Sequence, residues 1–225
     1  MKNIILTLLI CVLSVAAKAQ FGYNYSQYEF GLSAGINKAK TDFRIPKTGY
    51  AAMASFTYNY TPFINYIAEL QVGGVKADSL SVIPGSALTF TNDYTTVSFR
   101  AQLQMGEIMD YSQSQFANFL KNIYVSGGVG VIYTDLKIYD SGFLSGESKG
   151  SNVFIPVKLG YEFKFFNSFN EPRMKLDFGY QRNLIMSDAF DGISYGSNKD
   201  SFSQFVIGLK FALGGETSYR KSITY

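Results

Sequence analysis

Histidine is absent from all 225 residues of the sequence. Because the imidazole is the usual general base near neutral pH and the commonest transition-metal ligand, its absence removes serine–histidine hydrolysis and histidine metal centres from consideration. Tryptophan is also absent, and the single cysteine is Cys11. One cysteine can form neither an internal disulfide nor a cysteine metal site. The sequence therefore predicts no enzymatic activity, no cofactor and no bound metal.

Long apolar runs are also scarce, and the only one lies at the N-terminus, from Ile4 to Ala17. Lys2 precedes this run, and Ala17-Lys18-Ala19 places small residues at the two positions that a signal peptidase reads. The run is shorter than the roughly 20 apolar residues of a spanning helix, although an N-terminal anchor helix is the alternative. We expect residues 1–19 to be a signal peptide that directs the chain across the inner membrane, with cleavage before Gln20.

Charge of either sign is low. The formal net charge is +3, and it falls to +1 without Lys2 and Lys18, since residues 1–19 contain no acidic residue. A nucleic-acid-binding protein normally carries a basic patch or stripe, and the sequence has no such cluster. Nucleic acid is therefore not an expected partner.

Apolar and polar residues alternate with a period of two in eight segments after residue 20. This period is typical of β-strands that have one apolar and one polar face. Most of the segments reach the length of about 9–11 residues that a tilted strand needs to cross a membrane. The eight segments are Tyr28–Asn37, Tyr50–Tyr60, Ile64–Val75, Thr95–Gly106, Ile123–Tyr133, Val153–Phe165, Met174–Gln181 and Gln204–Leu213.

The segment Val153–Phe165 shows the pattern most clearly, because each of its odd positions is apolar. No charged residue falls on the apolar face of any segment, and the polar faces are rich in Gly, Ser and Gln. Only helices and closed barrels can satisfy their backbone groups in lipid, and alternation with the apolar face outward is typical of outer-membrane barrels. The sequence predicts an all-β fold, an eight-stranded antiparallel up-and-down transmembrane β-barrel over residues 28–213. An N-terminal segment at 20–27 and a C-terminal tail at 214–225 would flank it.

The same alternation has another interpretation. A soluble secreted β-barrel would turn its apolar face inward, around an apolar ligand, and its polar face toward water. Lys158, Lys175 and Lys210 would then lie on the outside.

The connections between segments alternate in length. Two are short, Thr61-Pro62-Phe63 and Phe166–Arg173. Short turns at one end and long loops at the other are typical of periplasmic and extracellular connections in outer-membrane barrels. The long polar connections are Lys38–Gly49, Lys76–Tyr94, Thr134–Asn152 and Asn183–Ser203.

The connection Ile108–Asn122 breaks this rule, because it is long but lies on the side of the short turns. Ser112 could cap a short helix that presents Phe116, Phe119 and Leu120 on one face. We interpret it as an amphipathic helix at the inner interface, and an irregular aromatic loop is the alternative.

Aromatic residues cluster near the expected periplasmic rim, where an apolar ring and a polar hydroxyl suit the lipid headgroup region. The alternative is ordinary strand composition, since aromatic residues favour strands. The predicted rim residues are Tyr58, Tyr60, Phe63, Tyr66, Phe163, Phe165, Phe166 and Phe169.

Charged residues on the polar face are the candidate functional residues, and they comprise five acids and five bases. The interior of an eight-stranded barrel is just wide enough for side chains to fill it, and buried charges must be paired. We therefore expect an ion-pair network that plugs the barrel, with a narrow conduction path as the alternative. The network residues are Glu69, Arg100, Lys158, Glu162, Lys164, Lys175, Asp177 and Lys210, and Glu29 and Glu107 complete the ten.

Three stretches carry a family resemblance. They are Tyr28-Glu29-Phe30-Gly31, Val157-Lys158-Leu159-Gly160-Tyr161-Glu162-Phe163-Lys164-Phe165, and Phe205-Val206-Ile207-Gly208-Leu209-Lys210-Phe211. With them the chain resembles the small outer-membrane β-barrel family of OmpA/OmpX type, in its porin-like branch. The resemblance implies the outer membrane of a Gram-negative bacterium as the location and outer-membrane lipid as a partner, and it brings no catalytic residues. One departure is that the chain continues past Phe211, the aromatic residue of the last predicted strand.

Three functional hypotheses remain open at this point. The first is a monomeric structural or surface-interaction barrel whose long loops contact extracellular or periplasmic protein partners. The second is a small porin or a component of a secretion or assembly machine. The third is the soluble barrel with an apolar ligand inside.

Overall fold

The computed structural model describes residues 22–40, 45–80, 87–111, 114–140, 142–169, 171–186 and 201–220. The predicted signal peptide, residues 1–19, lies outside this range. Eight strands pair in sequence order, each antiparallel to the next, and β1 pairs with β8 to close a barrel. The predicted eight-stranded antiparallel up-and-down barrel is confirmed. Among the described residues, no helix is both long and apolar enough to cross a membrane.

Each strand contains the core of one predicted segment and extends beyond it. The strands are β1 (Gly22–Lys40), β2 (Ile45–Asn59), β3 (Ile64–Leu80), β4 (Ala87–Gln104), β5 (Ile123–Asp140), β6 (Phe143–Phe166), β7 (Pro172–Ile185) and β8 (Ser201–Arg220). Two short helices, α1 (Met105–Ile108) and α2 (Gln115–Leu120), lie between β4 and β5. We call the end with the short turns and both ends of the described chain, Gly22 and Arg220, the terminal end, and the opposite end the loop end.

The apolar face of the alternation points outward. On β6, Leu159 is 60% exposed, whereas the neighbouring Lys158 is buried. The same contrast holds on β8, where Phe205 and Ile207 are exposed and Val206 is buried. The hypothesis of a soluble barrel that holds an apolar ligand is therefore wrong, because the apolar stripes form the outer surface.

The prediction of a long polar loop at Thr134–Asn152 is wrong. β5 and β6 remain paired up to Asp140 and Phe143, and the hairpin closes with Gly142 at a φ of +89°. Lys149 bonds Asp135 across the ladder at 3.2 Å. Beyond the lipid-facing apolar surface the outward face of the hairpin meets water and is polar, so its composition indicates a loop although the backbone stays extended.

The same reason corrects the other long connections in part. β3 and β4 stay paired from Lys76 and Thr91 to Leu80 and Ala87, within the predicted Lys76–Tyr94 loop. β1 and β2 extend into Lys38–Gly49, and β7 and β8 extend into Asn183–Ser203. The remaining parts of these loops, at 41–44, 81–86 and 187–200, lie outside the described residues.

The segments predicted to flank the barrel are strand as far as they are described. Gly22–Ser26 pairs with Glu216–Arg220, so β1 and β8 continue past the predicted limits of 28 and 213. A register shift between Ser26 and Tyr28, together with Gly214 at a φ of +78°, interrupts the two-residue alternation. That interruption explains why the pattern ends early although the ladder continues.

The terminal end differs from the prediction in detail. Tyr60 lies in the turn after β2, and Met105 and Gly106 begin α1 rather than ending β4. The predicted helix is present as α2, which starts after Ser114, while Ser112 lies outside the described residues.

α2 lies at the terminal rim, where Ala117 packs on buried aromatic side chains and Phe119 contacts the outside of the barrel wall. Tyr161, which is on the outward face of β6, stacks on Phe119 with ring centroids 4.9 Å apart. The Tyr161 hydroxyl also donates to the Phe119 carbonyl at 3.0 Å. Phe116 is exposed beside this contact. The helix therefore presents aromatic side chains at the level of the terminal rim, as an interfacial helix does.

Candidate functional site in the barrel interior

The middle of the interior holds one continuous chain of ion pairs. Lys175 bonds Glu29 at 2.6 Å and approaches Glu162 at 3.9 Å. Lys210 bonds Glu162 and approaches Asp177 at 3.9 Å. The chain ends where the Lys158 ammonium donates to Asp177 at 2.6 Å. Each lysine therefore faces at least one carboxylate, as charges removed from water require.

A second ion pair lies beside this chain. Arg100 donates to Glu69 at 2.5 Å and to the Gln181 side chain at 3.3 Å. Glu69 lies on β3 and Gln181 on β7, which are not adjacent in the sheet. Arg100 therefore crosses the lumen and links opposite walls of the barrel.

Glu162 is the most highly connected acid of the interior and is fully buried. Besides its lysine contacts, it accepts hydrogen bonds from Gln104 at 2.5 Å and from Gln102 at 3.1 Å. These donors come from β4, while its lysine partners come from β7 and β8. A carboxylate with this many donors is stabilised in its charged form.

Lys164 occupies a different environment from the other predicted network residues. Its ammonium donates to the Gln104 side chain at 2.8 Å and to the Pro62 carbonyl at 3.0 Å. It also lies 4.8 Å from the centroid of the Phe63 ring. Lys164 therefore connects the ion-pair chain to the turn between β2 and β3.

Glu107, the remaining acid of the predicted ten, lies outside the network. It is in α1 and accepts a hydrogen bond from Thr61 at 2.9 Å. The α1 backbone turns away from the strand direction after Gln104, so the alternation that placed Glu107 on the inward face ends before it.

Tyr124 is an interior residue that the sequence interpretation missed. Its hydroxyl donates to Asp177 at 2.5 Å, and its ring lies 5.6 Å from the Lys158 ammonium. Glycine at positions 160 and 179 leaves room for the Tyr124 side chain. A Cβ atom at Gly160 would lie 2.5 Å from the Tyr124 hydroxyl, and one at Gly179 would lie 3.0 Å from it. The inward glycines of β6 and β7 were a usable signal, because they indicate a large side chain opposite.

Apolar side chains close the interior above the ion pairs, toward the loop end. The sequence interpretation assigned only polar residues to this face. Tyr94 joins the two layers, since its hydroxyl accepts hydrogen bonds from Asn37 at 2.6 Å and Gln71 at 2.7 Å. We call these buried side chains the outer cluster, because they lie inside the barrel nearest the loop end. They are Val75, Tyr94, Ile132, Leu136, Phe154, Ile185 and Phe202.

Aromatic side chains close the interior at the terminal end. Phe63 is fully buried and packs on Tyr111 and Tyr219, with ring centroids 5.6 Å and 6.0 Å away. The prediction that Phe63 belongs to the lipid-facing rim is therefore wrong, because the β2–β3 turn folds this ring inward. It fits there because residue 106 is glycine, where a Cβ would lie 2.3 Å from the ring.

A buried cation completes the terminal closure. Lys121 follows α2, and its ammonium lies 4.7 Å from the centroid of the Tyr111 ring. Burial lowers the pKa of Lys121 to about 8, because the charged form is poorly solvated there. At neutral pH the ammonium is therefore held against an aromatic ring at the base of the barrel.

Comparison with solved structures finds similarity to outer-membrane barrels at low sequence identity. The chain is similar to the crystal structure of Neisserial surface protein A, with 13% identity, a TM-score of 0.49, and coverage of 85% of this chain and 99% of that one. It is also similar to Ail, the attachment invasion locus protein of Yersinia pestis, with 12% identity, a TM-score of 0.47, and coverage of 83% and 98%. A third likeness is to the N-terminal β-barrel domain of Pseudomonas aeruginosa OprF, with 9% identity, a TM-score of 0.38, and coverage of 80% and 97%.

These likenesses concern the barrel alone, since all identities are below 25% and all scores below 0.5. No protein-family model matches the sequence, and no curated protein matches it. Within the described ranges, no group of three or more His, Cys, Asp or Glu side chains could hold a metal ion.

Proposed function

We propose that this chain is a monomeric, non-catalytic outer-membrane barrel that anchors interaction surfaces and does not conduct solutes. The observation that carries the proposal is the filling of the lumen by three successive layers of side chains. Aromatic rings occupy the terminal end, ion pairs the middle, and the apolar outer cluster the loop end. A layer of apolar side chains excludes water and ions from a pore, so a small-porin function is not favoured.

The outward surface supports the membrane part of the proposal. Large apolar side chains are exposed on all eight strands, far beyond what a soluble monomer normally exposes. Both described chain ends lie at the end with the short turns. In an outer-membrane barrel that is the periplasmic end, so the loop end would face the cell exterior.

The hairpin of β5 and β6 is the surface that we propose for contact with extracellular protein partners. It extends past the last β6–β7 pair, between Phe154 and Ile185. Its tip carries Phe143, which is 81% exposed, and Leu144. An exposed aromatic residue on a protruding hairpin is a suitable interface anchor.

Planar-bilayer recording tests the closed interior. Purified protein reconstituted into a bilayer should give no step conductance above baseline, whereas a general porin inserted under the same conditions should give steps. Insertion is checked independently by the faster migration of the unboiled, folded band on a detergent gel. A reproducible ohmic conductance from protein that shows this folded band would contradict the proposal.

A further inference from the structure

β1 and β8 continue past the rest of the barrel wall at the terminal end. There β1 pairs with β2 no further than Tyr28, and β8 pairs with β7 no further than Phe211. Beyond these limits, Gly22–Ser26 and Glu216–Arg220 pair with each other, and we call these two segments the terminal ribbon. A two-stranded ribbon is at best marginally stable on its own in water, so its position depends on what it contacts.

A bulge lies at the root of the ribbon. There Gln27 of β1 faces Gly214 and Gly215 of β8, and the register of the two strands shifts. Gly214 has a φ of +78°, which glycine adopts readily and which is common in bulges. Gly215 is exposed, and a Cβ atom added there would meet nothing within 4 Å. Close packing therefore does not require glycine at position 215, and the pair of glycines gives the strand a point at which it can bend.

The ribbon folds across the base of the barrel and is held there by its tyrosines. The Tyr25 hydroxyl donates to the Tyr60 carbonyl at 2.9 Å, in the turn after β2. The Tyr219 hydroxyl donates to the Glu107 carboxylate of α1 at 3.4 Å. The Tyr219 ring also packs on Phe63, with ring centroids 6.0 Å apart. The ribbon therefore covers the aromatic layer that closes the terminal end.

One ion pair adds to these contacts. The Arg173 guanidinium of β7 lies 3.3 Å from the Glu216 carboxylate of the ribbon, and the Arg173 side chain is 49% exposed. An ion pair that meets water in this way contributes little to stability. The position of the ribbon therefore depends mainly on Tyr25 and Tyr219.

A polar space lies directly behind the ribbon. Among the described residues, Glu29 Oε2, Thr57 Oγ1 and Ser26 Oγ are buried and have no hydrogen-bond partner. Glu29 and Thr57 are opposite each other on β1 and β2. The Asn59 amide donates to the Glu29 carboxylate at 2.7 Å and to the Ser26 carbonyl at 2.8 Å, so these side chains share one space. Buried polar atoms of this kind are commonly satisfied by ordered water.

We propose that the terminal ribbon is a hinged lid, which bends at Gly214 and Gly215 and admits water and small solutes to the polar space behind it. The ion-pair chain begins at this space, since Lys175 bonds Glu29 at 2.6 Å. The outer cluster is unaffected by bending at the other end of the barrel, so the open lid forms a vestibule and not a pore. The inference rests on the proposed function for the side to which the lid opens, the periplasm.

Modification of single cysteines in nanodiscs tests the lid. The mature chain is free of cysteine, because Cys11 lies in the predicted signal peptide. Thr57→Cys places a thiol behind the lid, and Ser98→Cys places one opposite Glu69 in the middle of the lumen, both at positions that are 1% exposed. Ser218→Cys, on the exposed side of the ribbon, gives the rate without a barrier.

The three thiols should react at different rates with a small charged methanethiosulfonate reagent, followed by mass spectrometry. Thr57→Cys should react more slowly than Ser218→Cys, because the lid must open first. It should react faster than Ser98→Cys, because local opening requires less free energy than opening of the whole barrel.

Changes in the ribbon should alter the rate at Thr57→Cys in a predictable direction. Tyr25→Phe keeps the ring but loses the bond to Tyr60, and it should raise the rate about 2- to 10-fold, the value of one net hydrogen bond. Gly215→Val should lower the rate, since a branched residue restricts the bend. Tyr28→Phe, on the same strand with an exposed side chain, is the matched control and should leave the rate unchanged.

Equal rates for Thr57→Cys and Ser98→Cys would overturn the proposal, because opening of the whole barrel would then expose both thiols. An unchanged rate in Tyr25→Phe would overturn the part of the ribbon in the opening. Ser26→Cys, which is also buried, replaces Thr57→Cys if that variant does not give the folded band. If the wild-type protein gives the folded band and does not conduct, yet the rates are equal, only this inference fails. Conductance, or the absence of the folded band, would instead contradict the proposed function.

Discussion

Replacing Glu162 with alanine is expected to lower the free energy of unfolding by about 3–5 kcal/mol, the range for removing one partner of a buried ion pair. Glu162 is fully buried and contacts Lys175 and Lys210. Without Glu162, the ion pair that Lys210 keeps among the described residues is the one with Asp177, at 3.9 Å. The two glutamines that donate to Glu162 also lose their acceptor.

Urea titration of the refolded barrel in lipid vesicles, followed by the folded band on an unboiled gel, measures this change. Glu147→Ala is the matched control, because Glu147 lies on the same strand with an exposed side chain, and it should change stability by less than about 0.5 kcal/mol. Glu162→Gln should lie between the two, since the amide keeps the shape but not the charge. Similar losses for Glu162→Ala and Glu147→Ala would contradict a paired interior.

Replacing Leu159 with arginine is expected to destabilise the barrel by about 2–4 kcal/mol, the cost of a cation on the lipid face near the bilayer midplane. Leu159 lies on the outward face of β6, near the middle of the segment Val153–Phe165. A soluble protein would tolerate the same change, because an exposed leucine already contacts water.

Phe143→Arg is the control for this prediction. Phe143 is on the same strand and is more exposed than Leu159, but it lies at the hairpin tip, beyond the apolar belt. Its replacement should leave stability within about 0.5 kcal/mol of wild type. The pair therefore separates lipid exposure from water exposure by the same urea titration. Equal tolerance of arginine at both positions would contradict a membrane-spanning belt.

The alternation of apolar and polar residues predicts much of this fold. On β6 it placed Leu159 outside and Lys158 and Glu162 inside, because a period of two is the geometry of a strand. It failed above the belt, where Asp135 and Lys149 belong to the polar outward face of a paired hairpin, while Leu136 and Ile138 lie on its inward face. A polar outward face reverses the alternation of the belt and removes the signal that distinguishes strand from loop.

The interior was only partly predictable. The charges on the polar face could be assigned to the lumen, but their partners depend on which strands face each other across it. Arg100 reaches Gln181, 81 residues away, and no pattern in one strand encodes that contact. Phe63 was misplaced because a turn residue has no alternation to fix its direction. The outer cluster was missed because Ile132, Phe154 and Phe202 interrupt otherwise polar inward faces.

The apolar face points toward lipid and the polar face toward the lumen, and NMR contacts between lipid and protein test these directions without any substitution. Ile207 and Val206 are neighbours on β8, with exposed fractions of 50% and 4%. In nanodiscs with methyl-labelled protein, we expect cross-peaks from acyl-chain methylenes to the methyl groups of Ile207 and Leu159. We expect none to Val206 or to Ile132 of the outer cluster. Lipid cross-peaks at Val206 and Ile132, with none at Ile207 and Leu159, would contradict these directions.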